Sequence, residues 1–218
     1  MAQTSTSTRK LSETLEIISC CFHESGHALY ALLSYCKVSS VSIVYSQLVE
    51  GTTYYMRLDE HLPMHTIDKD TTLHIAKNEV MMSFAGLEAE KLFYRDICGS
   101  NKFPRVLKMG CEADIKSASE TIKRYDLAPP GKKRQAYKRQ LQKELGAILT
   151  EHWSDLKLIS HALYKTKRLS FDDLKKLLTK KSVRAEFWKR QFRDIGVLFD
   201  QLNDLDNAQI VAMIVQKA

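Results

Sequence analysis

Proline and glycine are scarce in this chain of 218 residues, with 4 and 8 respectively. So few turn formers favour long regular elements, helices above all, over a succession of short strands. No run of 18 apolar residues occurs, so no membrane-spanning helix is expected. The opening stretch from Met1 to Lys10 is polar, and the apolar patch after it carries Glu13 and Glu16, which excludes a signal peptide. The cysteines Cys20, Cys21, Cys36, Cys98 and Cys111 are odd in number and contain no CxxC pair. They read as reduced, small buried side chains rather than a disulfide frame or a zinc ribbon. A soluble, cytoplasmic protein is the expectation. What is present is ordinary globular material, 44% hydrophobic and 27% charged, which excludes wholesale disorder.

Ser12 is positioned to cap a helix whose first turn carries Glu13 and Glu16, with Leu15, Ile18, Phe22, Leu29 and Leu33 at helical spacing up to about Cys36. Val38 to Tyr45 then alternates as a strand, and Thr52 to Met56, after Gly51, reads as its hairpin partner. Asp59 to Asp70 reads as a loop. Further helices are expected over about Thr71–Tyr94 and Cys111–Leu127, then one long helix marked by Tyr137, Leu141, Leu145, Ile148, Leu156, Ile159 and Leu163. Ser170-Phe171-Asp172-Asp173 resembles a capping box with Asp in the place of Glu or Gln. Short helices are expected to fill Lys181 to Ala218. The fold class is therefore mainly α (α+β), with a small hairpin or sheet beside the first helix.

Within that first helix lies His23-Glu24-Ser25-Gly26-His27, an HExxH pattern. Four residues advance a helix by about 400°, so both imidazoles leave one face, about one turn apart, and can reach a single Zn²⁺. Glu24 sits about 100° around from His23, where a carboxylate can act as general base on a water beside the metal. An amphipathic helix can carry this pattern by accident. Two features favour a site: the apolar flanks, and Gly26, which costs about 1 kcal/mol in a helix interior and marks close approach of another backbone. Catalytic zinc takes three protein ligands. Tyr30 and Leu33 stand where the metzincin pattern needs Gly and His, so the third must come from elsewhere. Glu79, Glu88, Glu90, Glu112 and Asp114 are all candidates, and spacing does not choose among them.

These residues resemble the peptidase domain of FtsH-type ATP-dependent zinc proteases. The likeness begins at Phe22-His23-Glu24-Ser25-Gly26-His27-Ala28-Leu29 and continues through the hairpin at Val38–Ile43 and Gly51–Tyr54. It reaches Phe84-Ala85-Gly86-Leu87-Glu88-Ala89-Glu90, where Leu87 replaces the family's arginine, and Gly110-Cys111-Glu112-Ala113-Asp114-Ile115. The resemblance covers about residues 12 to 180. It implies His23, His27 and Asp114 as zinc ligands, Glu24 as the catalytic carboxylate, and Glu90 as an acid orienting a ligand histidine. It also implies that Gly51, Thr52, Thr53 and Tyr54 line an edge on which an extended substrate lies. The sequence contains no GxxxxGK[ST] loop and no anchor. The expected activity is therefore ATP-independent endoproteolysis of unfolded proteins or peptides, with a separate ATPase or a second copy of the chain as possible partners. The alternative is an inactive protease-like scaffold that binds or regulates.

Residues 1–11 are expected to be a flexible N-terminus, and residues 181–218 a helical extension packed on the peptidase-like domain. His61 and His65 are also four apart, but Pro63 between them argues against an aligning helix. The net charge of +7 and the cluster Lys132, Lys133, Arg134, Lys138, Arg139 and Lys143 raise nucleic acid as a partner. No recognised nucleic-acid module or set of stacking aromatics accompanies it, so a solvated helix face is the preferred reading.

Overall fold

The computed structural model describes residues 3–45, 49–61, 68–97, 99, 111–201, 209 and 212. The first helix, α1 (Gln3–Leu33), begins well before Ser12, which lies inside it and not at its N-terminus. The expected flexible segment is thus helical from Gln3. Ser and Thr cost only tenths of a kcal/mol each against better helix formers, and extending an existing helix needs no new nucleus. The helix stops at Leu33, short of Cys36. There Tyr35 adopts a left-handed φ of 57°, and the Tyr35 and Cys36 amides bond back to Leu32 and Ala31 at 3.2 and 2.8 Å. That is a Schellman closure made without glycine.

The chain then turns into strands β1 (Lys37–Tyr45) and β2 (Val49–Met56), paired antiparallel from Lys37↔Met56 to Tyr45↔Val49. A third strand, β3 (Arg168–Ser170), which the sequence reading did not anticipate, pairs antiparallel with the other side of β1. The sheet order is β2-β1-β3, which leaves β2 at an edge. Val38, Val41 and Ile43 of β1 are buried, while β2 alternates half-buried and exposed positions along its length. Leu58–His61, expected as loop, forms a 3-10 turn.

Helix α2 (Lys69–Asp96) starts two residues before the expected Thr71. Asp68 is its N-cap, accepting from the Thr71 amide at 2.9 Å and the Thr71 hydroxyl at 2.6 Å. Of the face that helical spacing marks (Leu73, Ala76, Val80, Phe84 and Leu87) all but the half-buried Leu73 are buried, and so are Met81, Met82, Ala85, Ala89, Leu92 and Phe93. The reason is that α2 is sandwiched: α1 packs on one side, while α3 (Glu112–Arg124) and α4 (Lys132–Glu151) pack on it as well. Gly26 allows the α1–α2 approach, since a Cβ there would overlap the Ala85 carbonyl and stand 2.6 Å from the Ala89 Cβ.

The single long helix expected to run through Leu163 is two, α4 and α5 (Trp153–Thr166), with His152 at the corner. Its apolar spacing reports which residues face the core, not whether the axis bends. The corner is held by the buried Asp155, which accepts from Trp188 Nε1 at 3.0 Å and from the Ser182 hydroxyl, and lies 3.3 Å from His152 Nδ1. After β3, helix α6 (Phe171–Lys181) opens on the expected capping box. Asp173 performs the role of Glu: its carboxylate accepts from the Ser170 amide at 2.9 Å while Ser170 accepts from the Asp173 amide at 3.2 Å. One helix, α7 (Ala185–Gln201), replaces the several short ones expected over its span. Trp188, Phe192, Ile195 and Leu198 are buried, and Gln191 donates to the Leu32 carbonyl at 2.6 Å. Residues 185–201 are therefore part of the same core, and most of the remainder to Ala218 lies outside the described residues. The fold is mainly helical with a small antiparallel sheet, as the sequence implied.

Candidate metal centre

His23, Glu24 and His27 lie in the C-terminal third of α1, where it packs against β2 and α2. The Nε2 atoms of His23 and His27 are 3.1 Å apart. Asp114, in the first turn of α3, places Oδ2 at 3.0 Å from His23 Nε2 and 3.5 Å from His27 Nε2. Of the five acids the spacing left open, Asp114 alone completes this triangle. Glu79 is taken up by Thr121 and Arg57, and Glu88 by Lys91 at 2.6 Å. Glu112 is exposed. Glu90 stands on the far nitrogen of His23, 3.6 Å from Nδ1, where the resemblance implied an orienting acid.

The protonation pattern follows from the neighbours. His27 Nδ1 lies 2.9 Å from the Met82 carbonyl, which can only accept, so Nδ1 carries a proton and turns Nε2 toward Asp114. His23 Nδ1 faces the Glu90 carboxylate and the Cys111 sulfur, 3.7 Å away. Burial lowers the His23 pKa, but Asp114, Cys111 and Glu90 outweigh it and hold the imidazole well above its ordinary value. Burial raises Asp114, and the two histidines more than offset this and hold its carboxyl well below the usual range. The raised His23 and the lowered Asp114 describe a proton held between Nε2 and Oδ2, and a metal ion bound at this point would displace it.

The donor set fits zinc. Ligands bound at about 2.0–2.1 Å in a tetrahedral array stand about 3.3 Å apart, and the three observed separations bracket that spacing. Two imidazoles and one carboxylate are also a catalytic rather than a structural complement, with one position left to a reactant. The remaining ring nitrogens have partners that orient the rings, as ligand histidines require.

Glu24 is 5% exposed and tucked beneath β2. The Thr53 hydroxyl donates to Glu24 Oε2 at 2.7 Å, with the Glu24 carbonyl oxygen 3.1 Å away. A Cβ on Gly51 would stand 2.5 Å from Glu24 Oε1, so only glycine leaves that carboxylate its place. Gly51 and Thr53, read from the sequence as substrate contacts, both face Glu24, Gly51 by leaving room for its carboxylate and Thr53 through its hydroxyl. Thr52 and Tyr54, the other two, face outward and are exposed. Gly86 does for His23 what Gly51 does for Glu24: a Cβ would lie 2.5 Å from His23 Nε2 and Cε1. Sequence reasoning missed this role although the signal, a glycine in the middle of a helix, was the one used for Gly26.

Cys111 was read as a small buried side chain and is fully buried, yet it also touches the site, 3.5 Å from Glu90 Oε2 as well as near His23. Burial, with Glu90 nearby, pushes its thiol up, so it is a protonated donor toward that carboxylate. Cys20, on the site-facing side of α1, is likewise pushed by burial to about 12. A cleft of about 850 Å³ opens over the centre, lined among others by His23, Glu24, His27, Gly51, Thr53, Met82 and Asp114.

The other histidines lie apart from this triangle or outside the described side chains. The His61 side chain and His65 fall in the second group, with Cys98. His74 is bonded to Asn78 at 2.8 Å, and His152 belongs to the Asp155 corner. In the basic cluster, Arg134 donates to the Ala128 carbonyl at 3.1 and 3.2 Å and Lys138 to the Ser119 hydroxyl at 2.7 Å, so two of its cations have structural duties. No helix among the described residues is long and apolar enough to cross a membrane. Compared with models of protein families and with curated protein sequences, the chain gives no match.

Proposed function

We propose that this chain is a zinc-dependent metalloendopeptidase of FtsH-peptidase type, hydrolysing peptide bonds in unfolded segments or peptides without ATP. The observation that carries the reading is the convergence of His23 Nε2, His27 Nε2 and Asp114 Oδ2 within 3.0–3.5 Å at the floor of an open cleft. Those three side chains would hold the ion. When bound, zinc supplies Lewis acidity, polarising a carbonyl and bringing the pKa of a water near 7.

The chain's own residues supply the rest. Glu24 accepts the proton of the attacking water on a carboxylate oxygen and passes it to the departing amine nitrogen. Thr53 holds that carboxylate from the opposite oxygen, so the proton-accepting atom has one orientation. The outer edge of β2, which pairs with no further strand among the described residues, offers backbone donors and acceptors to an extended chain, a mode of binding that tolerates many sequences. Met82 and Glu90 keep the two imidazoles turned toward the ligand position.

The test is Glu24→Gln. Zinc content measured by elemental analysis is expected to stay at wild-type level, while hydrolysis of casein falls by about 100-fold or more. A Glu24→Gln protein that cleaves casein as fast as wild type would remove the assignment.

A further inference from the structure

The cleft has a charge opposite to that of the protein. The chain carries 33 Lys and Arg against 26 Asp and Glu, yet the described residues lining the cleft include Glu16, Glu24, Glu50, Glu90 and Asp114 and no Lys or Arg. Three of these acids are the centre itself, and a divalent cation there offsets two of their charges. Glu50 has no part in the centre. It is exposed on β2, on the outward face shared with Thr52 and Tyr54, and the Tyr54 ring is 62% exposed. A carboxylate, a hydroxyl and an aromatic face at i, i+2 and i+4 form one row along a strand edge, which is the chemistry that receives ammonium and guanidinium groups.

We propose that this row selects cationic polypeptide segments, so that the cleft prefers chains with Lys or Arg near the bond placed at the centre. The inference rests on the peptide-binding reading of the cleft given above. A segment added to the β2 edge shares the strand's alternation, so every second side chain lies over Glu50, Thr52 and Tyr54. Because Glu50 and Tyr54 stand about 13 Å apart along the strand, a Lys or Arg beside Tyr54 packs its aliphatic stem on that ring, and another beside Glu50 brings its head to the carboxylate. An acidic segment meets like charge at Glu50. The field of the whole protein works the other way, because a net charge of +7 attracts anionic peptides. Local and global electrostatics therefore make opposite forecasts, which permits a decisive measurement.

The experiment uses the full chain carrying Glu24→Gln, loaded with zinc, and three fluorescein-labelled unstructured peptides of equal length that are Lys/Arg-rich, neutral or Asp/Glu-rich. Binding is read by fluorescence anisotropy at low and moderate salt. The cationic peptide is expected to bind at least tenfold more tightly than the acidic one, with the gap narrowing as salt rises. Adding Glu50→Lys is expected to abolish or reverse that preference, and Tyr54→Ala to weaken cationic binding several-fold. Both positions are exposed, and circular dichroism checks that the fold is kept. Equal affinities, or a preference for the acidic peptide that Glu50→Lys leaves unchanged, would overturn the proposal. Because binding is read without turnover, cationic selectivity in a chain that cleaves nothing would sink the protease reading alone. Cleavage by wild type without cationic selectivity would sink this inference alone.

Discussion

Gly86→Ala separates the stability of the fold from the integrity of the centre. The added Cβ would lie 2.5 Å from His23 Nε2 and Cε1, and reaching the 3.4 Å of ordinary contact requires the ring to retreat by about 0.9 Å. An imidazole can rotate out of the way, and alanine in a helix interior gains about 1 kcal/mol over glycine. The melting temperature is therefore expected to hold or rise slightly. The centre has no such freedom, because metal–ligand distances tolerate only about 0.2 Å. Displacing His23 leaves a two-ligand site, and zinc affinity is expected to fall by at least about 100-fold, beyond the 10–100-fold typical of losing an outer partner. Competition with a chromophoric chelator measures the affinity, and a thermal melt measures the fold. Wild-type zinc affinity within threefold would refute the assignment of His23 and the geometry behind it. Gly26→Ala makes the contrast: its overlap is with the Ala85 backbone and the Ala89 side chain, so the fold weakens first.

Thr53→Val keeps the shape of the residue but removes the donor to Glu24; kcat is expected to fall about tenfold with KM nearly unchanged, and Thr53→Ser to restore it. A Val variant with full kcat would show that the 2.7 Å contact does not position the carboxylate. Asp114→Ala is expected to lower zinc occupancy after dialysis, as read by elemental analysis; full occupancy would point to another ligand. For the corner between α4 and α5, burial raises Asp155, but His152, Ser182 and Trp188 outweigh it and hold its carboxyl below the ordinary value. A folded-state value below the unfolded one near 3.9 stabilises the fold above that pH, and the contribution drains away as pH falls through the folded value. Asp155→Ala is accordingly expected to cost about 3 kcal/mol in urea unfolding at pH 7, with the gap to wild type shrinking below about pH 4. A gap that is the same at both pH values would contradict the electrostatic account.

Glu90 and Cys111 show how the surroundings of His23 Nδ1 are built from two separate stretches of chain. Glu90 comes from α2 and Cys111 from the residue just before α3, and both converge on the one nitrogen of His23 that does not face the metal position. The same helix α2 supplies the Met82 carbonyl to His27 and the absent side chain at Gly86. A helix that reads in the sequence as core therefore also orients both histidines.

The sequence by itself determined the local terms. Apolar spacing located the helices, Ser170 and Asp173 announced a cap, and HExxH placed two imidazoles and a carboxylate on one helix because a four-residue step nearly completes a turn. Those are properties of neighbouring residues on a backbone of known pitch. Tertiary structure decided what depends on distant chain segments meeting. It selected Asp114 from five acids, bent the helix at His152 through a buried carboxylate 33 residues before its Trp188 partner, and added β3 to the sheet. It also turned Gly51 and Thr53 toward Glu24. A spacing rule reaches a few residues along the chain, whereas a hydrogen bond or a steric overlap is set by coordinates, which is why spacing alone left those choices open and, for Asp114, only the family resemblance had singled out one acid.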